Sequence, residues 1–195
     1  MIRKNVRVAI IPGSREAELK TLWQPMQQIA MRIKAKYSGA KFVTVAVDEK
    51  RRKALEENQV PGFQCDYAIN AVCRTAETAD FAIVASGSAT LEVAAMGCPM
   101  VVMYQASKVG WYLAAKWLIK TKYLCLVNVV AGKELVPEFM PYFNSIDPIV
   151  ETIERFLDSK SELAKLSGEL AELTRPLGEK NTGREVAKVI LQMLD

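Results

Sequence analysis

Two short segments of the chain carry the same residue types at the same spacing, in a pattern suited to holding an anion. Residues 12–20, PGSREAELK, follow the apolar run VRVAII, and residues 86–92, SGSATLE, follow the apolar run FAIVA. Both read Gly-Ser-x-x-x-Glu, with Gly13, Ser14 and Glu18 in the first elbow and Gly87, Ser88 and Glu92 in the second. Glycine permits a tight turn, and serine can cap the following helix while leaving first-turn N–H groups free. Because those N–H groups and the helix dipole favour an anion, the two elbows, with Arg15 beside the first, predict a diphosphate site.

The two glutamates lie one position too far along the chain for the usual capping role. In a capping box the acidic residue sits three positions after the cap, whereas Glu18 and Glu92 sit four positions after Ser14 and Ser88. We therefore expect Glu92 to accept hydrogen bonds from a ribose diol. Neither elbow matches GxGxxG or GxxxxGK(S/T), which disfavours a nicotinamide cofactor and P-loop phosphoryl transfer. A nucleotide diphosphate that carries another group remains, although either elbow alone is also explained as an ordinary helix start.

The elements that must position these elbows follow from the order of apolar and amphipathic segments. Strand-like runs stand at residues 6–11, 41–47, 64–68, 81–85 and 99–105, and helical patterns stand at 16–37, 49–58, 70–79 and between the second elbow and Gly97. Strands that are apolar on both faces and joined by helices predict an α/β fold with a doubly wound, mostly parallel, Rossmann-like sheet. In the common strand order 3-2-1-4-5-6, strands 1 and 4 are neighbours, so both elbows flank one crevice. This count requires the weak strand at 64–68 to be real.

The carboxy-terminal half is predicted to be mainly helical. Residues 108–120 have a helical pattern, and residues 124–139, LCLVNVVAGKELVPEF, are expected to begin extended and to end as a loop or short helix. Three helical stretches follow, near residues 146–158, 160–173 and 183–194. The segment 108–120 has two interpretations. It is either a helix packed on the core or, because it contains Trp111, Trp117 and several lysines, an interfacial helix on a membrane surface.

Composition limits the kinds of function that the chain can have. A chain of 195 residues with 50% hydrophobic content supports one full core, and its net charge of +4 tolerates an anionic ligand without indicating nucleic acid. The absence of histidine excludes a histidine general base or metal ligand within the chain. The four cysteines show no CxxC spacing, so we predict no metal, no cofactor and no disulfide scaffold. We expect a cytoplasmic location, with no signal peptide at the start and no membrane span within 81–107.

Three segments, PGSREAE, SGSATLE and above all NVVAGKELVPEF, give the chain a resemblance to lipid-A-disaccharide synthases from about residue 5 to its end. These enzymes are glycosyltransferases of the two-domain GT-B type, and the resemblance covers only their carboxy-terminal half. It implies one Rossmann-like domain, residues 1–195, that binds the donor nucleotide. It also implies that the terminal helices, about residues 146–195, are made to pack on an amino-terminal domain that the chain lacks.

The activity implied by the resemblance is transfer of 2,3-diacylglucosamine from its UDP derivative to 2,3-diacylglucosamine 1-phosphate, with release of UDP. The chemistry is then metal-independent displacement at the anomeric carbon, with inversion. The acylated acceptor and the catalytic carboxylate belong to the amino-terminal domain, so we expect this chain to bind UDP without turnover. Three alternatives stay open for the apolar face of the last helix, which are a bare face, loose packing and a homodimer. Peripheral attachment to the inner face of the cytoplasmic membrane is a further expectation.

The resemblance also implies roles for individual residues. Arg15 and Asn128 are the catalytic candidates. The donor-binding candidates are Gly13, Ser14, Arg15, Glu18, Ser86, Gly87, Ser88, Ala89, Glu92, Met103, Tyr104, Asn128, Gly132 and Glu134. Within this set, Ser14 and Arg15 address the diphosphate or sugar, residues 86–89 the phosphates and Glu92 the ribose. Met103 and Tyr104 are expected beside the uracil, and Asn128, Gly132 and Glu134 beside the donor sugar.

Two other functions stay open at this point. One is another GT-B enzyme that uses a UDP-sugar, such as a peptidoglycan N-acetylglucosaminyltransferase or a nucleotide-sugar epimerase. The ELVPEF segment favours the lipid enzyme over these. The other is a stand-alone nucleotide-binding module with no reaction of its own.

Overall fold

The fold is described from a computed structural model, which covers residues 5–106 and 121–179. The strands are β1 (Arg7–Ile11), β2 (Lys41–Ala46), β3 (Asp66–Ile69), β4 (Phe81–Ala85), β5 (Met100–Met103) and β6 (Glu138–Phe139). The helices are α1 (Glu16–Lys36), α2 (Glu49–Glu57), α3 (Val72–Glu77), α4 (Ala89–Ala95), α5 (Leu126–Ala131), α6 (Asp147–Asp158) and α7 (Lys160–Glu179). Two predicted helices, at 108–120 and 183–194, lie outside the described residues. The membrane-surface interpretation of the first helix and the dimer through the second therefore concern residues that the structure does not describe.

The six strands form one parallel sheet with the order β3-β2-β1-β4-β5-β6. The predicted α/β fold, the doubly wound parallel sheet and the weak third strand are confirmed. Every residue of β4 and β5 is buried, which is why these strands read as continuous apolar runs in the sequence. β1 pairs with β4, and the chain therefore changes its winding direction between these two strands.

The prediction for residues 124–139 was wrong in its order of elements. The segment begins with α5 and ends with the edge strand β6, whereas an extended start and a loop or helical end were expected. The carboxylate of Glu138 accepts hydrogen bonds from the N–H groups of Leu124 and Cys125, just before α5. Gly132, with a φ of 65°, ends the helix in the left-handed conformation. Contacts across the segment therefore override the β-propensity of its valines.

Helices α6 and α7 pack on this domain over their described length. The buried face of α6 consists of Ile149, Val150, Ile153, Phe156 and Leu157, and α7 adds Leu163, Leu166 and Leu170. Lys36, at the end of α1, lies 2.9 Å from a carboxylate oxygen of both Glu154 and Asp158. The Tyr37 hydroxyl also donates to Asp158, at 2.8 Å, and burial followed by this contact raises the pKa of Tyr37 to about 12. One face of each helix thus packs on the sheet domain itself, and packing of the terminal helices, about residues 146–195, on a second domain stays a prediction.

Candidate nucleotide-binding crevice

A cavity of about 280 Å³ opens at the carboxyl ends of β1 and β4. The residues that line it include nine of the predicted site residues: Gly13, Ser14, Arg15, Glu18, Ser86, Gly87, Ser88, Ala89 and Glu92. The prediction that both elbows face one crevice is confirmed, because the strands that precede them are neighbours in the sheet. This is the position at which open α/β sheets bind ligands.

A larger cavity, of about 530 Å³, lies at the opposite end of the sheet. It is lined by residues at the amino ends of β2 and β3 and at the end of α1, among them Lys34, Phe42 and Asp66. Lys34 already donates to the carbonyl of Ala40, at 2.8 Å. We identify the smaller crevice as the candidate site. Of the two cavities, it alone is lined by both elbows, and it lies between β1 and β4, where the winding direction of the chain changes.

At the first elbow the backbone N–H groups of Ser14 and Arg15 are occupied, contrary to the prediction. Glu18 Oε2 accepts hydrogen bonds from the N–H groups of Ser14 and Arg15, both at 3.1 Å, and the Glu18 side chain is buried. α1 is capped at Arg15 rather than at Ser14, which places Glu18 three positions after the cap. Glu18 therefore has the capping role that the sequence argument rejected. Gly13 has a φ of 99° and lies so close to Glu18 that a side chain would not fit there.

The second elbow has open donors. Among residues 5–106 and 121–179, none accepts a hydrogen bond from the N–H groups of Gly87, Ser88 and Ala89. Ser88 makes no side-chain cap, and the turn is held instead by the Thr90 hydroxyl, which donates to the Gly87 carbonyl at 2.7 Å. Ser86 donates its N–H to the Met103 carbonyl of β5, at 2.9 Å. The predicted cap by Ser88 was thus wrong, whereas the predicted row of free amides is present at this elbow.

Glu92 is exposed and lines the crevice one turn into α4. Within residues 5–106 and 121–179 its carboxylate forms no ion pair, and the Cys73 thiol donates to it, with Sγ 3.9 Å from Oε2. Partial burial and the Glu92 charge raise the pKa of Cys73. The carboxylate can therefore accept hydrogen bonds from a ligand.

Asn128 is a buried structural residue. Its Nδ2 donates to the Val136 carbonyl at 2.8 Å and to Glu138 Oε2 at 3.1 Å. Its Oδ1 accepts from the N–H groups of Leu135 and Val136, at 2.8 and 2.9 Å. All four hydrogen-bonding positions of the side chain are thus occupied, and they hold the loop between α5 and β6 in place, while contact of Asn128 with a donor sugar stays a prediction.

The remaining predicted residues lie apart from the crevice. Gly132 is an exposed residue at the end of α5, and Glu134 lines a separate cavity between the β6 segment and α6. Met103 is completely buried in β5 and Tyr104 is half-buried beyond it, so neither lines the crevice. Contact of these residues with a sugar or a base stays a prediction.

The crevice also contains residues that sequence reasoning missed. Val47 and Val72 give one side of it an apolar surface, and Asn70 joins β3 to α3 with a φ of 47°. Asparagine is one of the few residues that tolerate this left-handed conformation, so an asparagine directly after a strand was an available signal. Within the described residues no cluster of three or more candidate metal ligands occurs, and no helix is long and apolar enough to cross a membrane.

A family model described as lipid-A-disaccharide synthetase matches residues 1–188 of the chain. Lipid-A-disaccharide synthases are similar to it over nearly its whole length. The protein from Anaeromyxobacter dehalogenans strain 2CP-1 is 34% identical over 190 residues, which are 96% of this chain and 49% of the relative. The protein from Aliivibrio fischeri is 33% identical over 189 residues, which are 94% of this chain and 49% of the relative. The chain therefore spans about half the length of the curated relatives it matches.

Solved glycosyltransferase structures share the fold at low sequence identity. The glycotransferase of kitacinnamycin superposes with a TM-score of 0.59 at 14% identity, and the match covers 95% of this chain and 43% of the glycotransferase chain. The spinosyn rhamnosyltransferase SpnG, complexed with thymidine diphosphate, gives a TM-score of 0.55 at 15% identity, covering 88% and 42%. S. aureus TarM, in a complex that includes UDP, gives 0.54 at 14% identity, covering 97% and 36%. These likenesses show the fold of one GT-B domain.

Proposed function

Since the chain belongs to the lipid-A-disaccharide synthase family, whose members are glycosyltransferases, we propose that it binds the UDP part of a UDP-sugar donor in the crevice between the two elbows. The observation that carries the proposal is the row of three open N–H groups at Gly87, Ser88 and Ala89, beside the Arg15 guanidinium. Backbone N–H groups at the start of a helix, together with a guanidinium, are suited to a pyrophosphate. SpnG and TarM, which share the fold, are described in complexes with nucleoside diphosphates, and this supports the same ligand class here.

The complete reaction proposed is transfer of 2,3-diacylglucosamine to 2,3-diacylglucosamine 1-phosphate. A hydroxyl oxygen of the acceptor attacks the anomeric carbon of the donor, and the bond from that carbon to the UDP oxygen breaks. UDP leaves with the bonding electrons, so negative charge grows on its phosphates. The open N–H groups and Arg15 stabilise that charge, which is the main contribution of this domain to the rate. Family membership favours this activity over an N-acetylglucosaminyltransferase or an epimerase.

The acceptor hydroxyl must lose a proton to a base that this crevice does not offer. Its acidic lining residues are Glu18, which is buried against the elbow N–H groups, and Glu92, which we assign to the ribose diol. We place the base and the acceptor site in a polypeptide that corresponds to the other half of the longer relatives. The 195-residue chain should accordingly bind UDP and form no disaccharide.

Calorimetric titration of the chain with UDP tests the donor site. We expect Arg15→Ala and Glu92→Ala each to weaken binding by about tenfold, which corresponds to about 1.4 kcal/mol. Lys20→Ala is a matched control for Arg15, because it removes a cation near the start of α1 but outside the crevice. Glu77→Ala is the control for Glu92, since Glu77 lines a cavity at the amino ends of β4 and β5.

Two ligands separate the roles of the two residues. Glu92→Ala should lose the preference of wild type for UDP over 2′-deoxy-UDP, whereas Arg15→Ala should keep that preference and leave uridine binding unchanged. Equal effects of the control and crevice substitutions, or no UDP binding by the wild type at millimolar concentration, would refute the proposal.

A further inference from the structure

The carboxylate of Glu18 occupies the place at the first elbow that an anionic ligand would otherwise take. Its Oε2 accepts from the N–H groups of Ser14 and Arg15, both at 3.1 Å, and its Oε1 lies 3.3 Å from Nη1 of Arg15. Two adjacent N–H groups and a guanidinium at the start of a 21-residue helix are donors that suit a phosphate. We propose that Glu18 is an intramolecular anion that keeps phosphate out of this elbow and makes the crevice selective for a diphosphate over a triphosphate.

The position of Glu18 is built into the fold. Glu18 is only 8% exposed, although it lines a cavity, and glutamates are seldom buried to this extent. A Cβ atom at Gly13 would lie 2.3 Å from Glu18 Oε2, so glycine is required for the carboxylate to reach the elbow. The Arg15 side chain, in contrast, is 81% exposed and can contact a ligand in the crevice while it pairs with Glu18. The first elbow thus offers a ligand one cation but no free N–H group at Ser14 or Arg15.

The two elbows therefore differ in what they can bind. The inference rests on the proposed function, in which the pyrophosphate of the donor lies on the open N–H groups of the second elbow. A uridine nucleotide with a third phosphate would need a further set of donors, and Glu18 already takes the N–H groups of Ser14 and Arg15 at the first elbow. The same carboxylate also repels the added negative charge. A site with this occupant favours UDP and UDP-sugars over UTP.

Titration of the chain with UDP, UTP and uridine tests the inference on wild type, Glu18→Gln and Glu16→Gln. Glutamine keeps the shape of the side chain but carries no charge. We expect Glu18→Gln to bind UTP about tenfold more tightly than wild type, with a smaller gain for UDP and no change for uridine. Glu16→Gln is the matched control, because it removes the same charge from the same helical turn. Glu16 pairs with Lys20 at 2.7 Å and does not line the crevice, so its substitution should change none of the three affinities.

Thermal unfolding of each variant shows whether the elbow remains folded, and Glu18→Asp gives a second test. Aspartate keeps the charge but is one methylene shorter, so UTP affinity should lie between those of wild type and Glu18→Gln. A folded Glu18→Gln variant that binds UDP and UTP less tightly by the same factor would overturn the inference, because Glu18 would then merely support the site. If wild type binds no uridine nucleotide, the proposed function fails. The selectivity that rests on it then fails as well, whereas UDP binding by wild type with no gain of UTP affinity in Glu18→Gln overturns the inference alone.

Discussion

Replacement of Asn128 by alanine should destabilise the domain strongly, because its buried side chain makes four hydrogen bonds. Two are donated to the Val136 carbonyl and Glu138, and two are accepted from Leu135 and Val136. Each bond contributes about 0.5–1.5 kcal/mol net, so we expect a loss of about 2–6 kcal/mol in the free energy of unfolding. Domains of this kind have about 5–15 kcal/mol in total, so the loss is a large share of the stability.

Urea-induced unfolding, followed by circular dichroism, measures this loss as a shift of the midpoint. Asn58→Ala is a matched control, since the side chain of Asn58 is exposed and donates one hydrogen bond, to the Ala54 carbonyl. It should cost less than about 1 kcal/mol. The reasoning is refuted if Asn128→Ala unfolds within about 1 kcal/mol of wild type. If that stable variant also failed to bind UDP, Asn128 would act in donor binding, as first expected.

Two further predictions concern the ion pair between α1 and α6 and the Cys73 thiol. The hydrogen-bonded ion pair with Lys36 lowers the pKa of Asp158 in the folded state. The carboxylate therefore stabilises the fold fully at pH values above its unfolded-state pKa. This contribution is lost as the pH falls through the folded-state pKa, which is the lower of the two. The stability difference between wild type and Asp158→Asn, measured by urea unfolding, should be at most about 1 kcal/mol at pH 7, because the Asp158 side chain is 43% exposed. It should vanish once the pH falls below the folded-state pKa of Asp158. Glu92→Gln should speed alkylation of Cys73 by iodoacetamide a few-fold at pH 8, because loss of the neighbouring charge lowers the thiol pKa. An unchanged rate, measured by mass spectrometry, would contradict the contact between these two side chains.

The strand order and the shared crevice could be predicted because both depend on patterns within short segments. A strand buried on both faces leaves a continuous apolar run, as in β4, and a glycine after such a run marks the turn into a helix. Once the strands are counted, the topology of doubly wound sheets brings the first and fourth together. No knowledge of individual side-chain contacts is required for these steps.

The errors came from features that depend on single contacts. Whether Glu18 caps α1 depends on whether the helix begins after Ser14 or after Arg15, a difference of one residue that sequence patterns do not resolve. The helical start of the 124–139 segment depends on Glu138, which lies 13 positions after Cys125 and accepts its N–H. A run of valines read locally favours a strand, so only the tertiary contact reveals the helix.

The edge strand β6 also bears on how the protein behaves at high concentration. It contains two residues, Glu138–Phe139, and is followed by Pro141, with Pro137 directly before it. The carbonyls of both prolines already accept hydrogen bonds from Val102 and Ala106. Proline has no N–H to donate, and so short a strand presents little backbone to an incoming neighbour. This margin of the sheet is thus a poor template for fibril growth and for intermolecular strand exchange.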